Sequence, residues 1–286
     1  MTTAIFRAPK LKVGIYQNQQ HIEVALLDPQ RQPHFYRIDS SELAQLTPLL
    51  RQQFASTISN KARFFYISCL EPHLLWQKHL LLPRVAPHER YRQVKLIIKQ
   101  QLPSDESQIL FDFIATPIPH NNTKQYIDYV QIFAAKRQNV LRCCERLAPL
   151  RLNALDFYAH ALLRAFVYVS QAAVDETSLF IYQDNRPNAE KLVLLQQYPD
   201  RLIQSYEKKL SLTALLQLFF QHAPPNQIRR CVIYAAPSAV QAARSILPAQ
   251  VELIAIDPAQ YPYFIALGCA LWQTQHWQTK GFVNGN

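Results

Sequence analysis

Glycine is the residue that this chain lacks most clearly for its length. Four glycines stand in 286 residues, where average usage of about 7% gives about twenty. Gly281 and Gly285 lie in a polar C-terminal stretch, so Gly14 and Gly268 serve the rest of the chain. Backbone that approaches a phosphate closely, or turns through positive φ to do so, generally requires glycine. The deficit therefore argues against phosphate-binding loops of the Walker type.

Cysteine patterns and long apolar runs are also missing. The five cysteines are odd in number and show no CxxC spacing, so the sequence favours neither a disulfide framework nor a zinc site. The run from Tyr261 to Trp272 is shorter than the roughly 18 residues of a membrane span, and the N-terminal residues have no signal-peptide core. The histidines are dispersed and form no HExxH motif, and the sequence has no GxSxG motif of serine hydrolases. We expect a cytoplasmic protein with no metal and no catalytic residues.

Positive charge, in contrast, is abundant. The chain has 30 Lys and Arg against 20 Asp and Glu, a formal net charge of +10. Such an excess suits an acidic partner, either nucleic acid or an anionic membrane surface, and it equally suits ordinary solubility. Because the sequence has no arginine-rich tract and no RNA-binding aromatic motif, nucleic acid is the less favoured partner.

The N-terminal part of the chain reads as the start of a sheet. Period-two patterns predict strands over 11–16 and 21–27, joined as a hairpin. Leucines at helical spacing predict a helix over 41–54, and an apolar run predicts a strand over 62–68.

From Trp76 onward the pattern predicts a compact unit in the order strand, helix, strand, strand, helix, strand, with the last strand over 151–155. Its first helix begins at Pro87, and its second covers 137–147. Apolar stripes at helical spacing are expected to be buried: Tyr91, Val94, Ile98 and Leu102 on the first helix, and Val140, Leu141, Cys144 and Leu147 on the second. The basic residues opposite these stripes are expected to face solvent: Arg92, Lys95, Lys99, Arg142 and Arg146.

The second half repeats the alternation of strands and helices. Asp156 precedes a helix predicted over 158–169, and Asp257 precedes a proline, so we interpret both as capping residues. Strands are predicted over 179–183, 192–195, 231–235 and 251–254, and helices over 212–222, 239–247 and 263–273. Alternating elements in two lobes predict an α/β protein with mixed sheets.

Three stretches resemble the PilM family of type IV pilus assembly proteins, including the ComA-like variants of competence operons. They are HERYRQVKLIIKQQLPSDESQILFDFIAT, YVQIFAAKRQNVLRCCERLAPLRLNALDFYAHALLRA and CVIYAAPSAVQAARSILPAQVELIAIDPAQYPYFIALGCALW, which all lie within residues 87–272. The resemblance implies an actin-like (ribonuclease H-like) fold of two lobes with a nucleotide cleft and a small α/β insertion. It implies the following domains: a first lobe (1–75 and 153–175), an inserted subdomain (76–152), a reduced second lobe (176–257), a C-terminal helix returning to the first lobe (258–275) and a flexible tail (276–286).

The positions that match the family's nucleotide-binding loops lack the expected glycines. The loop after Gly14 carries neither a carboxylate nor a glycine, and the second loop has asparagine where glycine would admit a phosphate. We therefore expect a degenerate nucleotide cleft, no cofactor and no enzymatic activity. The residues at these positions are Gly14, Gln17, Asn18, Asp184, Asn185, Ala235 and Ala236.

An aromatic-rich hairpin in the inserted unit is the candidate partner site. The resemblance implies that a groove there binds the short cytoplasmic N-terminal segment of a PilN-like inner-membrane protein, which places the chain peripherally at that membrane. Packing in the core of the insert is the alternative for these side chains. The candidate groove residues are Phe111, Phe113, Tyr126 and Tyr129.

Two other functions remain open at this stage. One is an ATP-binding PilM-like protein with a working cleft, and the other is a basic DNA-binding module. Self-association also stays open. The first reading, a non-enzymatic adaptor of pilus or DNA-uptake machinery, is the one that the glycine deficit favours.

Overall fold

The structure is a computed structural model that describes residues 10–17, 21–55, 62–103, 105–118, 127–184, 191–198, 202–207, 210–222 and 227–272. These residues fall into two compact units. The first unit combines 10–69, 147–198 and 202–272, and the second unit is formed by 70–146.

The helices and strands follow one another in a regular alternation. Residues 10–70 form β1 (Lys10–Gln17), β2 (Ile22–Leu27), β3 (Pro33–Ile38), α1 (Leu46–Gln53) and β4 (Arg63–Leu70). The second unit contains β5 (Leu75–Pro83), α2 (Pro87–Gln101), β6 (Ile109–Ile118), β7 (Ile127–Lys136) and α3 (Arg137–Arg146). The chain continues through β8 (Ala154–Phe157), α4 (Tyr158–Ser170), β9 (Ser178–Gln183), β10 (Leu192–Gln197) and β11 (Leu202–Glu207). The last described elements are α5 (Leu212–His222), β12 (Arg230–Tyr234), α6 (Pro237–Arg244), β13 (Glu252–Ile256) and α7 (Phe264–Ala270).

The first unit holds two five-stranded sheets with the same strand order. The orders are β3-β2-β1-β4-β8 and β11-β10-β9-β12-β13. In each sheet the first three strands form an antiparallel meander, and the fourth strand pairs in parallel with the first. The predicted mixed α/β organisation is confirmed.

Both faces of the central strands are buried, which explains their continuous apolar runs. On β1, Val13 and Ile15 join a core with α1, whereas Tyr16 joins a second core that contains α4 and α7. The second sheet packs against α5 and α6 on one face, and its other face, with Phe180 and Tyr182, meets α4 and α7. Helices α4 and α7 therefore lie in a core that both sheets share.

Two strands and one boundary differ from the sequence-based prediction. Strands β3 and β11 were not predicted, and they give both sheets a fifth strand. The predicted helix over 41–54 is divided into a 3-10 helix, Ser40–Gln45, followed by α1.

The strand predicted over 151–155 was assigned to the wrong sheet. It lies at Ala154–Phe157 as β8 and joins the first sheet beside β4, not the sheet of the inserted unit. Asn153 fixes this position, because its backbone N–H donates to the Tyr66 carbonyl oxygen at 2.9 Å and its side-chain oxygen accepts the Tyr66 N–H at 2.8 Å.

The second unit is an antiparallel sheet in the order β5-β7-β6 with α2 packed on one face. Helix α2 begins at the predicted Pro87, and the N–H of Ala86 donates to the Glu89 carboxylate at 3.3 Å in a capping box. As predicted, Arg92, Lys99, Arg142 and Arg146 are exposed, whereas Lys95 is half-buried.

The buried stripes of the two helices differ from the prediction. On α2, Arg90 joins Val94 and Ile98 in the buried line, and Tyr91 is exposed instead. On α3, no residue is fully buried and Leu141 is exposed.

Arg90 is buried because the second unit supplies acceptors for its guanidinium group. Its Nη2 donates to the Pro83 carbonyl oxygen at 2.7 Å and to the Asp128 carboxylate at 3.0 Å. Arg84 donates to the other oxygen of Asp128 at 2.9 Å. A buried arginine normally requires such pairing, and here it ties the turn before α2 to the middle strand of the sheet.

Candidate functional site: the shared core between the two sheets

The two glycines of the described chain serve close packing and not a phosphate loop. A Cβ at Gly14 would lie 1.9 Å from the carbonyl oxygen of Ala266 in α7, and a Cβ at Gly268 would lie 1.9 Å from the carbonyl oxygen of Ala161 in α4. Neither described glycine has positive φ. Backbone therefore packs directly on backbone from β1 to α7 and from α7 to α4.

Tyr158, the first residue of α4, lies between the two sheets at the level of the predicted cleft. Its ring meets Tyr16 of β1 edge-to-face, with ring centres 6.1 Å apart. The ammonium group of Lys191, which precedes β10, lies 5.9 Å from the centre of the same ring, a cation–π distance. One aromatic ring thus connects the end of β1 to the β9–β10 hairpin of the second sheet.

The carboxyl ends of β9 and β12 are covered by stacked aromatic rings. Tyr182 and Tyr234 stand opposite each other in the ladder, and their ring centres are 5.0 Å apart. Tyr234 stacks in turn on Phe264 of α7 at 4.4 Å, and its hydroxyl donates to the Tyr261 carbonyl oxygen at 2.9 Å. All three rings are buried, so this space is filled by side chains.

The predicted cleft residues that the structure describes have ordinary structural roles. Gln17 is the half-buried last residue of β1, and Asp184 is buried directly after β9, where its N–H donates to the Lys191 carbonyl oxygen at 2.9 Å. Ala235 packs in the core beneath α5 and α6, and Ala236 caps the start of α6. Asn18 and Asn185 lie outside the described residues.

A buried carboxylate that the sequence analysis missed stands in the same region. Glu23 of β2 is opposite Tyr16 in the ladder, and its carboxylate lies 3.4 Å from His21 Nε2. Burial, and after it the charge of Glu23, raises the pKa of Tyr263. The sequence signal for this buried carboxylate was a single acidic residue within the otherwise apolar strand IEVALL. A carboxylate here would repel a phosphate group.

The capping interpretation of Asp156 is wrong. Asp156 lies within β8, is buried, and pairs with the guanidinium group of Arg164 in α4. Arg164 Nε also donates to the Gly268 carbonyl oxygen at 3.0 Å. Burial, together with the nearby charge of Arg164, lowers the pKa of Lys12. This network joins β8, α4 and α7. Asp156 is therefore a structural residue, because its carboxylate is the partner of Arg164.

Asp257, the other aspartate predicted to be a capping residue, does cap a turn. The side chain of Asp257 accepts the N–H of Ala259 at 2.8 Å after β13. Within the described residues, no group of three or more His, Cys, Asp and Glu side chains is arranged to hold a metal ion. Over the same residues, no helix is long and apolar enough to cross a membrane.

The candidate groove residues do not share one surface. Phe113 pairs with Ile132 and Phe111 with Ala134 in the β6–β7 ladder, on the face that packs against α2. Tyr129 lies on the opposite face, because side chains alternate along a strand. Tyr126 lies outside the described residues.

Tyr129 is buried, with 4% of its surface exposed, and it lies beside exposed residues of β5. It stands opposite Leu81 in the β5–β7 ladder, and its ring contacts His79 at 5.8 Å between centres. Leu81 has 62% of its surface exposed. Strand β5 is at the edge of the three-stranded order and pairs with β7 alone among the described strands. Such an edge can accept an extended peptide.

Comparison with protein-family models finds no match, and comparison with curated proteins finds none either. Solved structures do match. The PilM–PilN type IV pilus biogenesis complex superposes with a TM-score of 0.60 and 14% identity, covering 91% of this chain and 97% of that chain. The cytoplasmic domain of EpsL, an inner membrane component of the Vibrio cholerae type II secretion system, gives 0.52 and 10%, covering 92% and 95%.

A third match is a protein of unknown function with an actin-like ATPase fold from Bacteroides thetaiotaomicron, with a TM-score of 0.46, 11% identity, and coverage of 96% and 100%. At these identities the likeness concerns the fold. The repeated sheet order and the superposition on PilM agree with the fold implied by the sequence resemblance. The chain has a PilM-like, actin-like fold.

Proposed function

We propose that this protein is a non-enzymatic adaptor that docks the short cytoplasmic segment of a PilN-like inner-membrane protein in a pilus-type or DNA-uptake machine. The observation that carries the proposal is a set of buried aromatic side chains: Tyr158 contacts residues of both sheets, and Tyr182, Tyr234 and Phe264 stack at the strand ends of the second sheet. A nucleotide requires open space and backbone N–H groups at these positions. The adaptor role is supported by similarity in fold to PilM in complex with PilN.

The docking surface that we propose is called the Tyr129 face: it is formed by the exposed residues His79 and Leu81 of β5, beside the buried ring of Tyr129. Phe111 and Phe113 face α2 and belong to the core, so they stabilise the sheet from the other side. An extended segment would add to the edge of β5 by main-chain hydrogen bonds, with Leu81 and His79 beside it. The partner is a membrane protein's peptide, and the chain would lie at the cytoplasmic side of the inner membrane.

The decisive test of the adaptor reading is nucleotide binding. We expect no saturable signal in calorimetry with millimolar Mg-ATP, and no recovery of binding in Ala235→Gly, because one glycine does not remove the aromatic rings. A micromolar dissociation constant for the unmodified protein would make the ATP-binding alternative the better description.

Partner docking is tested with a synthetic peptide of the N-terminal cytoplasmic segment of the organism's own PilN-like protein. Leu81→Asp should lower the affinity for the peptide at least tenfold, because it places a charge on the proposed contact surface. Leu218→Asp is the matched control, since Leu218 of α5 is also an exposed leucine, with 48% of its surface accessible. Equal affinity of both variants would exclude the Tyr129 face.

DNA binding is measured in parallel as affinity for a duplex over a range of salt concentrations. A steep dependence on salt, with sub-micromolar affinity at physiological salt, would favour the DNA-binding alternative. We expect only weak, non-specific affinity.

A further inference from the structure

Helix α2 presents a basic face that the proposed peptide docking does not use. Arg92, Lys95, Leu96 and Lys99 follow the spacing i, i+3, i+4 and i+7, which places them on one side of a helix. Arg92 and Lys99 are exposed, and Leu96 has 56% of its surface accessible. This set of four residues is called the α2 face below.

The orientation of the α2 face is fixed by the opposite side of the helix. Val94 and Ile98 are buried in the core of the second unit, and Arg90 is held by the Pro83 carbonyl oxygen and the Asp128 carboxylate. A helix held by a buried arginine and an apolar stripe cannot rotate without breaking both sets of contacts. The α2 face is therefore presented outward from the second unit.

The charge of the α2 face is of one sign. Helix α2 has four basic residues and one acid, Glu89. The Glu89 carboxylate accepts the N–H of Ala86 in the first turn of the helix. It precedes Arg92 by three residues, so it lies at the N-terminal end of the same side of the helix and leaves that side with a net positive charge. An exposed leucine, Leu96, stands in the middle of these cations, at a position that is normally polar.

We propose that the α2 face binds the surface of a membrane that contains anionic phospholipids. Lysine and arginine interact with the headgroups, and an adjacent apolar side chain enters the boundary with the acyl chains. Nucleic acid would bind the basic side chains but leave the leucine in water. The presence of both basic residues and an exposed leucine therefore favours a lipid surface. This inference goes beyond the proposed docking of a peptide and does not depend on it.

The test is flotation of the purified protein with vesicles that contain no other protein. Vesicles with 30% phosphatidylglycerol should recruit the protein, vesicles of pure phosphatidylcholine should not, and 0.5 M salt should release most of it. The double variant Arg92→Gln and Lys99→Gln should lower the partition coefficient about thirty-fold, because each basic residue near an anionic surface contributes about fivefold.

The matched control changes the same charge elsewhere in the same unit. Arg142→Gln and Arg146→Gln remove two exposed positive charges from α3, and this double variant should lose less than threefold. An equal loss in the two double variants would show that binding follows net charge alone and would overturn the proposal. Loss of duplex DNA binding without loss of vesicle binding in the α2 variant would overturn it in favour of nucleic acid.

A second pair of variants tests the apolar part. Leu96→Ser should abolish the fraction of binding that survives 0.5 M salt, whereas Leu141→Ser on α3, an exposed leucine with 50% of its surface accessible, should leave that fraction unchanged. Identical behaviour of the two leucine variants would contradict insertion by the α2 face. Thermal unfolding confirms that each variant is folded, and these vesicles contain no peptide partner, so the result is independent of peptide docking.

Discussion

The two five-stranded sheets of the first unit have the same strand order but meet the shared helices in different ways. The first sheet meets α7 through Gly14, where strand backbone lies against helix backbone. The second sheet meets α7 through the stacked rings of Tyr182, Tyr234 and Phe264. The two sheets therefore fill the shared core in opposite ways. The first sheet has a glycine at its contact with α7, whereas the second sheet has large aromatic side chains there.

The two sheets also differ in charge on this face. The first sheet contributes Asp156, which pairs with Arg164, and Glu23. The second sheet contributes mostly apolar and aromatic residues to the shared core: Phe180, Tyr182, Val193, Leu195, Val232, Tyr234 and Ile256. Its buried polar residues near these are Ser178 in β9 and Asp184 directly after β9. Four tests can break or sharpen this comparison, and they are taken from the largest expected effect to the smallest.

The largest effect is expected at Gly14. A Cβ would lie 1.9 Å from a backbone oxygen and 2.4 Å from a backbone nitrogen of α7, and neither atom belongs to a flexible side chain. Gly14→Ala should lower the free energy of unfolding by about 4 kcal/mol or more, measured by urea denaturation.

Ala25→Gly is the control for Gly14→Ala. Ala25 stands opposite Gly14 in the ladder and is also buried, and the loss of one methyl group should cost about 1 kcal/mol. Comparable costs for the two changes would mean that the close approach of β1 and α7 has been misjudged.

The next effect tests the aromatic side of the comparison. Tyr234→Ala removes the middle ring of the stack and should cost about 3 kcal/mol. Tyr234→Phe keeps the ring, loses the hydrogen bond to the Tyr261 carbonyl oxygen, and should cost about 1 kcal/mol. Urea unfolding distinguishes the two, and a larger cost for the phenylalanine variant would place the stabilisation in the hydroxyl group.

Local sequence patterns predicted most elements because apolar periodicity is a local signal. Strand β3 was missed since Pro33 and the polar residues around it resemble a loop, and β11 alternates weakly in LIQSYE. Both strands are defined by pairing with the preceding strand of a meander. Their existence depends on tertiary contacts, which override weak propensity.

The site was less predictable than the fold. The sequence showed that glycine is scarce, but only the structure shows that Gly14 and Gly268 are needed for helix packing. The burial of Arg90 was not predicted, because its acceptor Asp128 is 38 residues away. Buried charges are recognised by their partners, and distant partners leave no local pattern in one sequence.

The third substitution tests the ionic tie of the first sheet. Asp156→Asn leaves Arg164 without its carboxylate in a mostly buried position. Loss of one partner of a fully buried pair costs about 3 to 5 kcal/mol, and partial access of water to Arg164 reduces the expected cost to about 2 kcal/mol. Thermal unfolding at low and high salt measures it.

The matched control for Asp156 lies on the second sheet. Glu252 pairs with Arg230 at 2.9 Å on the surface, where ion pairs contribute less than about 1 kcal/mol. Glu252→Gln should therefore have little effect on the unfolding temperature. If the surface substitution proves as costly as Asp156→Asn, the difference in charge between the sheets has no energetic meaning.

The smallest effect concerns acid stability, at one turn or loop beside a strand of each sheet. In the turn between β2 and β3, a hydrogen bond with His34 is the main cause that lowers the pKa of Asp28. Before β9, burial acts to raise the pKa of Asp175, but hydrogen bonds from Thr177 and Ser178 outweigh it and the pKa is lowered. Each carboxylate is therefore more acidic in the folded state than in the unfolded state.

The sign of the pH dependence follows from these shifts. A lowered pKa stabilises the folded protein fully above the unfolded value of about 4, and the contribution is lost as the pH falls through the folded value. Unfolding temperatures between pH 5 and pH 2 should decline less steeply in Asp175→Asn and in Asp28→Asn than in the unmodified protein. Asp105→Asn, which removes the same charge from the second unit, controls for net charge. If the unfolding temperatures of all three variants decline in parallel with falling pH, the acid sensitivity comes from net charge and not from the hydrogen bonds of Asp28 and Asp175.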